Sequence, residues 1–261
     1  NTFYSICINR KLWFNDLHSM NDYMEMHWGY SIWIDAANTR LEQYGKNFLD
    51  EIDEVIHFSG FQGLLLGSCF STDYDVLSQW RAYANDGNGY VIGFKAEELL
   101  GLPIRALRVL YDKEQQIKEA ASLIDVLYKI KHDDPSNYKL MCGLFGWDLS
   151  AFKNPTFAEE KEIRLIHLLD FQKSNEFIKL VDEGGTYFGE ERSGEKVQYR
   201  IKQNIPTPYI ELDFSNNNKI NPIKEVIIGP RNDVLPTAIG VFLETIGLEK
   251  VKIKKSKASY R

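Results

Sequence analysis

KNPTFAEEKEIRLI, from Lys153 to Ile166, is the stretch around which the rest of the chain is read. Its second half has the pattern of a strand, in which successive side chains point to opposite faces. Glu160, Glu162 and Arg164 then share one face, and Ile163 and Leu165 share the other. Pro155 lacks the donor that a central strand needs, so a turn delivers the two glutamates. Two carboxylates separated by one residue suit acid/base work or the stabilisation of a cation, because repulsion and burial push their pKa values apart. The same residues also describe a solvated strand face on which Glu162 and Arg164 form an ion pair. Both readings stand on the residues alone.

Working upstream, Leu64 to Phe70 is an apolar run bounded by turn signals and reads as a buried strand. Thr72, with Asp75 three positions on, predicts a helix N-cap ahead of Val76, Leu77, Trp80 and Ala84. Asp86 to Gly89 is a tight turn before the alternating Tyr90 to Phe94, and Arg105 to Tyr111 is another strand. Ile117, Ala121, Ile124 and Tyr128 predict a helix over 114–131, stopped by His132-Asp133-Asp134-Pro135. His132 with its aspartates is either a solvated helix end or a metal ligand set, and the helix end is the simpler account. Nearer the start, residues 1–8 read as the end of a helix and 11–14 as a strand. A loop over 15–22 follows, with a turn at Asn21-Asp22. Residues 23–34 fit helix or strand. Leu41, Tyr44, Phe48, Ile52 and Val55 predict one amphipathic helix over 36–56, its wet face carrying Asp50, Glu51, Asp53 and Glu54 and its end marked by Gly60 and Gly63.

Downstream, residues 181–195 are rich in Gly, Glu and Ser and predict a mobile excursion. Residues 209–214, 226–228 and 251–254 read as strands, 215–221 as a polar loop and 236–246 as a helix with proline in its first turn. The order is mixed, with too little strand-helix alternation for a doubly wound sheet. The expected architecture is a single α+β domain over residues 1–261. In it the strands near Phe70, Phe94 and Ile163 meet in a central mixed or antiparallel sheet, with the 36–56 helix packed outside.

Composition bounds the function classes. With 31 basic and 37 acidic residues the chain carries −6, which gives no general attraction to a polyanion. Cys7, Cys69 and Cys142 are odd in number and widely spaced, fitting neither a disulfide framework nor a metal site and pointing to a reducing, cytoplasmic setting. No apolar run approaches the roughly 20 residues of a membrane span. Neither G-x-G-x-x-G nor G-x-x-x-x-G-K-[ST] occurs, so the usual nucleotide loops are absent. The chain opens on Asn1 with no signal or transit segment, and residues upstream of Asn1 are expected.

Four segments carry a family resemblance: LWFND with MND in 12–22, CFSTDYDVLSQWRAYANDGNGYVIGF in 69–94, FKNPTFAEEKEIRLI in 152–166 and EVIIGP in 225–230. Together they resemble the bacterial family called domain of unknown function 2971. A second resemblance, to mono-ADP-ribosyltransferases, rests on Ser71-Thr72 at a strand end followed by Glu160-Lys161-Glu162, with Asp73 where those enzymes have a second serine. Their first motif, an Arg or His on an early strand, would fall before Asn1. The resemblance implies an ADP-ribosyltransferase-like fold, NAD as substrate, no metal, and a toxin-like effector of bacterial antiviral defence or conflict. Glu162 would stabilise the oxocarbenium-like cation through the ribose, and Glu160 would orient or deprotonate an acceptor. Ser71 would hold Glu162 by one hydrogen bond, Thr72 completes the hydroxyl pair, and Arg164 shares the charged face. Tyr74 or Trp80 would line the cleft, although Trp80 equally fits the core of its helix. Two other functions stay open: a non-enzymatic nucleotide- or partner-binding module, and nucleic-acid processing through the aromatics and the basic 250–257 segment.

Overall fold

The computed structural model describes residues 2–19, 25–59 and 63–260. Helix α1 (Thr2–Asn9) runs through Arg10 into strand β1 (Lys11–Asp16), which ends in a short 3-10 turn at Leu17–Ser19. Helices α2 (Glu25–Tyr44) and α3 (Lys46–Ser59) lead to strand β2 (Gly63–Ser71) and helix α4 (Leu77–Tyr83). Strand β3 (Tyr90–Phe94), the single turn α5 (Ala96–Leu99) and strand β4 (Arg105–Arg108) follow. Helices α6 (Lys113–Asp133) and α7 (Pro135–Asp148) then give way to 3-10 turns at Leu149–Ala151 and Pro155–Glu160 and to the long strand β5 (Glu162–Lys173). The remainder is β6 (Ile178–Val181), β7 (Gly185–Tyr187), β8 (Glu190–Arg192), β9 (Gln198–Lys202), β10 (Ile205–Asp213), β11 (Ile223–Ile228), α8 (Pro236–Thr245) and β12 (Lys252–Lys255).

The molecule is α+β, built on a large antiparallel sheet in the order β4-β5-β2-β1-β10-β9, with β6 also paired to β5. Because directly opposed residues of neighbouring strands share a face, the register divides this sheet cleanly. Leu12, Phe14, Leu66, Leu165, Leu169, Ile210 and Leu212 form one face, packed with α1, α8 and a second sheet of order β12-β11-β3. Burial of each such aliphatic side chain is worth about 1.5–3 kcal/mol. The other face is polar at one end, with Asn15, Cys69, Ser71, Glu162, Arg164, Arg200 and Lys202. It is apolar where Leu65 and Ile166 meet Leu17, Leu107 and Trp147. A helical layer lies on this second side. Its own core is Ile32, Trp33, Phe48, Ile52, Ile124, Leu127 and Phe145, from α2, α3, α6 and α7. Pro206 and Pro208 of β10 lie where the strand pairs with β9, beyond Tyr209, its last residue paired with β1, so the two prolines sit in the part of β10 that has one ladder and not two.

Several expectations are corrected. Phe70 and Ile163 are opposed on adjacent strands, but Phe94 belongs to the second sheet and meets Phe70 only ring to ring, at 5.7 Å. The 36–56 helix is two helices, broken at Gly45, which takes the left-handed φ of 79° that ends a helix. Its acidic face is not simply wet, since Asp53 accepts from the Tyr30 hydroxyl and the Trp33 indole. Residues 25–34, which fit either helix or strand in the sequence, are helical, and Asn15 and Asp16 are strand rather than loop. Thr72 is not an N-cap: α4 starts at Leu77 behind Val76, and Asp75 instead accepts from the Trp80 indole and the Ser256 hydroxyl. The proline after α6 starts α7 instead of a loop, with Asp134 between the two helices. The 181–195 excursion is folded, with β7 and β8 forming a hairpin and Tyr187 and Asp182 buried. The Asn21-Asp22 turn and Gly60 lie outside the described residues. No helix among the described residues is long and apolar enough to cross a membrane.

Candidate functional site

Glu162 opens β5 directly opposite Ser71, the last residue of β2, so the hydroxyl strand and the carboxylate strand run side by side as the sequence implied. Glu160 is not on the strand. It ends the 3-10 turn that begins at Pro155, with Asn154 capping that turn, and Lys161 reverses the chain at φ 44° and ψ 49°. A left-handed lysine is strained, and the surroundings hold it. The Lys161 carbonyl accepts from the Thr72 N–H (3.0 Å) and hydroxyl (3.3 Å), and its ammonium lies 3.1 Å from Asp73. Reversal at Lys161 brings Glu160 back beside Glu162.

The Ser71 hydroxyl donates to the Glu160 carbonyl (2.7 Å) and accepts from the Asp73 N–H (3.0 Å), while the Gln79 amide also donates to the Glu160 carbonyl (3.1 Å). Ser71 therefore fixes the turn and not the Glu162 carboxylate. That carboxylate, 5% exposed, accepts from Arg164 Nε and Nη2 and from Lys153 Nζ, each at 3.0 Å, and from the Cys69 thiol. Burial works to raise the Glu162 pKa, but Arg164 and Lys153 outweigh it and hold the carboxyl below its ordinary value. Lys153 also donates to Glu160 (2.6 Å), whose other oxygen accepts from the Tyr83 hydroxyl (2.7 Å). Burial, with Glu160 beside it, pushes the Tyr83 phenol well up. Arg164 is anchored in turn by the Ser150 carbonyl (2.5 Å), and the Lys153 backbone by Leu110 and the buried Gln116.

These groups open onto a cleft of about 460 Å³, closed on its other side by Asn15, Ser19, Arg200 and Lys202. Four cations against two carboxylates make its lining net positive. Phe157 forms part of the wall, with the Lys153 ammonium 5.1 Å from its ring centre. The charged face expected to be solvated is thus buried, although the ion pair between Glu162 and Arg164 is present.

The structure brings Glu160, Glu162, Ser71 and Arg164 into one cleft. Thr72 stays outside it, on the Lys161 carbonyl. Trp80 is 1% exposed in the core, and Tyr74 is half exposed with the Lys254 ammonium near its ring. Neither Tyr74 nor Trp80 lines the cleft. The other neighbour of β2 is β1, which presents Asn15 to the cleft. Sequence reading missed Lys153, Tyr83, Cys69, Arg200 and Lys202. The signal for the last two was the alternation in QYRIK, which puts Arg200 and Lys202 on one strand face.

Residues 79–165 match the family model described as protein of unknown function (DUF2971). Over that stretch, about a third of the chain, the sequence is similar to the DUF2971 family. The matched segment holds Tyr83, Lys153, Glu160, Glu162 and Arg164, while Cys69, Ser71, Arg200 and Lys202 lie outside it. No curated protein and no solved structure matches the chain.

Burial pushes the Cys7 and Cys142 thiols up to about 11, and they sit in different cores, whereas Cys69 is exposed at the cleft. The basic segment near the C-terminus lies on β12 of the second sheet, with Lys254 paired to Glu225, and does not line the cleft.

Proposed function

We propose that the cleft binds NAD and cleaves its nicotinamide-ribose bond, transferring the ADP-ribosyl group to water or another acceptor. One observation carries this reading: Glu162, opposite Ser71, and Glu160, returned to its side by Lys161, face one cleft whose far wall is cationic. In the reaction the bond from C1′ of the ribose to the nicotinamide nitrogen breaks, and its electron pair leaves with nicotinamide, which becomes neutral. C1′ then forms a bond to the acceptor oxygen, which gives up its proton. Glu162 is ionised at neutral pH, so its work is to stabilise the positive ribose rather than to donate a proton. Glu160, on the same cleft, is the residue assigned to take the acceptor's proton.

A second reading is favoured by a different observation. All four carboxylate oxygens of Glu160 and Glu162 already have partners among Tyr83, Lys153 and Arg164. Such a neutralised network also suits a module that binds a nucleotide and does not react with it. Release of nicotinamide from NAD, followed by chromatography, separates the two. Release at a rate that falls with Glu162→Gln supports the transferase or glycohydrolase. A rise in melting temperature with NAD but no nicotinamide would leave only the binding module.

A further inference from the structure

Resting on the nucleotide reading of the cleft, we propose that its β1–β9 wall, Asn15, Arg200 and Lys202, is a phosphate-sugar subsite for the ligand. Arg200 and Lys202 sit two residues apart on β9, and the ladders β9-β10-β1-β2 put them on the same face as Asn15, Ser71 and Glu162. Both cations line the cleft, and among the described residues neither has a carboxylate within ion-pair distance. The acid electrostatically coupled to Lys202 is Asp16, whose own pKa is raised by burial.

Among the described residues, two buried atoms on this wall have no hydrogen-bond partner: Arg200 Nε and Asn15 Oδ1. Buried polar atoms are ordinarily satisfied, and an exception calls for a reason. Arg200 stands 5.8 Å over the Trp13 ring, which is itself stacked on Tyr209 at 4.7 Å. The aromatic stack orients the guanidinium without neutralising it. A guanidinium with an unfilled N–H matches a phosphate oxygen. An unfilled carbonyl oxygen beside it matches a donor, and a sugar hydroxyl next to a phosphate offers both. The cleft is also polarised, with carboxylates at the β5 end and, at the β9 end, two cations that have no carboxylate partner among the described residues, Lys202 donating to the Ser19 carbonyl instead. A phosphate is therefore directed towards Arg200, and the electron-poor ribose end of the ligand towards Glu162.

Isothermal titration with ADP-ribose and with inorganic pyrophosphate tests the assignment on the whole chain. Wild type is expected to bind both. Arg200→Gln and Lys202→Gln should each weaken both at least about tenfold, a factor equivalent to 1.4 kcal/mol. Asn15→Ala should weaken ADP-ribose and spare pyrophosphate, which has no sugar hydroxyl to donate. Arg200→Lys keeps the charge on a well-folded background and should recover only part of the affinity. Absence of binding in wild type, or unchanged affinity in both Arg200→Gln and Lys202→Gln, would overturn the subsite. NAD turnover is scored separately. Arg200-dependent ADP-ribose binding without nicotinamide release removes the transferase reading and keeps the subsite. Nicotinamide release with the same KM in Arg200→Gln as in wild type removes the subsite and keeps the chemistry.

Discussion

Ser71 faces Glu162 across the β2–β5 ladder, yet its hydroxyl donates to the backbone carbonyl of Glu160, 2.7 Å away. The serine thus acts on the second carboxylate, through the main chain, while the first is held by Lys153 and Arg164. One short side chain closes the loop that brings Glu160 back to the cleft. The remaining groups of that loop, the Thr72 hydroxyl and the Gln79 amide, make longer contacts.

Ser71→Ala should therefore loosen the Glu160 turn and leave the Glu162 clamp intact. It removes the donor to the Glu160 carbonyl and the acceptor of the Asp73 N–H, at a cost of about 1–3 kcal/mol in urea melts. Nicotinamide release should slow through kcat with KM nearly unchanged, and Ser71→Thr, which keeps the hydroxyl, should restore it. Equal rates in Ser71→Ala and wild type would remove Ser71 from any positioning role.

On the opposite sheet face, His167 is buried with both ring nitrogens against acceptors: the Pro103 carbonyl at 2.7 Å and Asp182 at 2.9 Å. Both nitrogens must carry protons to satisfy this. Burial opposes the charge, but Asp182 and the Pro103 carbonyl overcome it and raise the His167 pKa. Asp170 adds to the pull, and Asp182 also accepts from the Gly184 and Glu195 backbone. The stabilisation is complete below the unfolded pKa of about 6.5 and is lost as pH rises through the higher folded value. Denaturant melts at pH 6 and pH 9 should show this fall, and His167→Gln should flatten it. Wild-type stability that does not change between those pH values would count against a charged His167.

Two glycines of the helical layer make opposite predictions. A Cβ on Gly29 of α2 would come 2.4 Å from the Leu149 carbonyl oxygen, so Gly29→Ala must push α2 off the turn that leads towards Lys153. A cost of about 1–3 kcal/mol is expected. Gly143 of α7 has open space around it, and Gly143→Ala should stabilise by about 0.5–1 kcal/mol through helix entropy alone. Thermal melts of both variants check the contact. If Gly29→Ala melts no lower than wild type, the close approach of α2 to Leu149 is not rigid.

Local pattern revealed most of the strands because their signals are short-range: the alternation in 209–214, the apolar run at 64–70 and the turn at 86–89 all appear as β-structure or its boundary. Pairing was harder to read. Phe94 and Ile163 have similar strand patterns, but β3 is captured by β11, and nothing local to YVIGF shows that. The acid pair was legible as residues but not as geometry, because a left-handed Lys161 cannot be seen in a sequence that alternates well enough to pass for strand. Lys153 was hidden for the same reason, being nine residues from Glu162 and joined to it only by the fold. Arg200 and Lys202 arrive from the far side of the sheet through β10 and β1, a relationship carried entirely by register.

The Glu162 clamp gives the most decisive variant. Removing its charge leaves Arg164 still donating to the Ser150 carbonyl, and Lys153 to Glu160. Loss of one member of a buried pair costs about 3–5 kcal/mol, so Glu162→Gln should melt well below wild type. Glu162→Gln combined with Lys153→Met should cost less than the sum of the two single changes, because each removes the other's partner. The pH dependence has a definite sign. Glu162 titrates below its ordinary value, so its contribution is full above the unfolded pKa of about 4.3 and is lost as pH falls through the lower folded value. Glu162→Gln should flatten that acid limb. Assayed at a temperature where both proteins are folded, it should release nicotinamide at least about a hundredfold more slowly, the scale of one electrostatic group acting on the transition state. Binding of NAD should change far less. A folded Glu162→Gln that still releases nicotinamide at the wild-type rate would assign Glu162 to the clamp alone and leave Glu160 as the acid to test next.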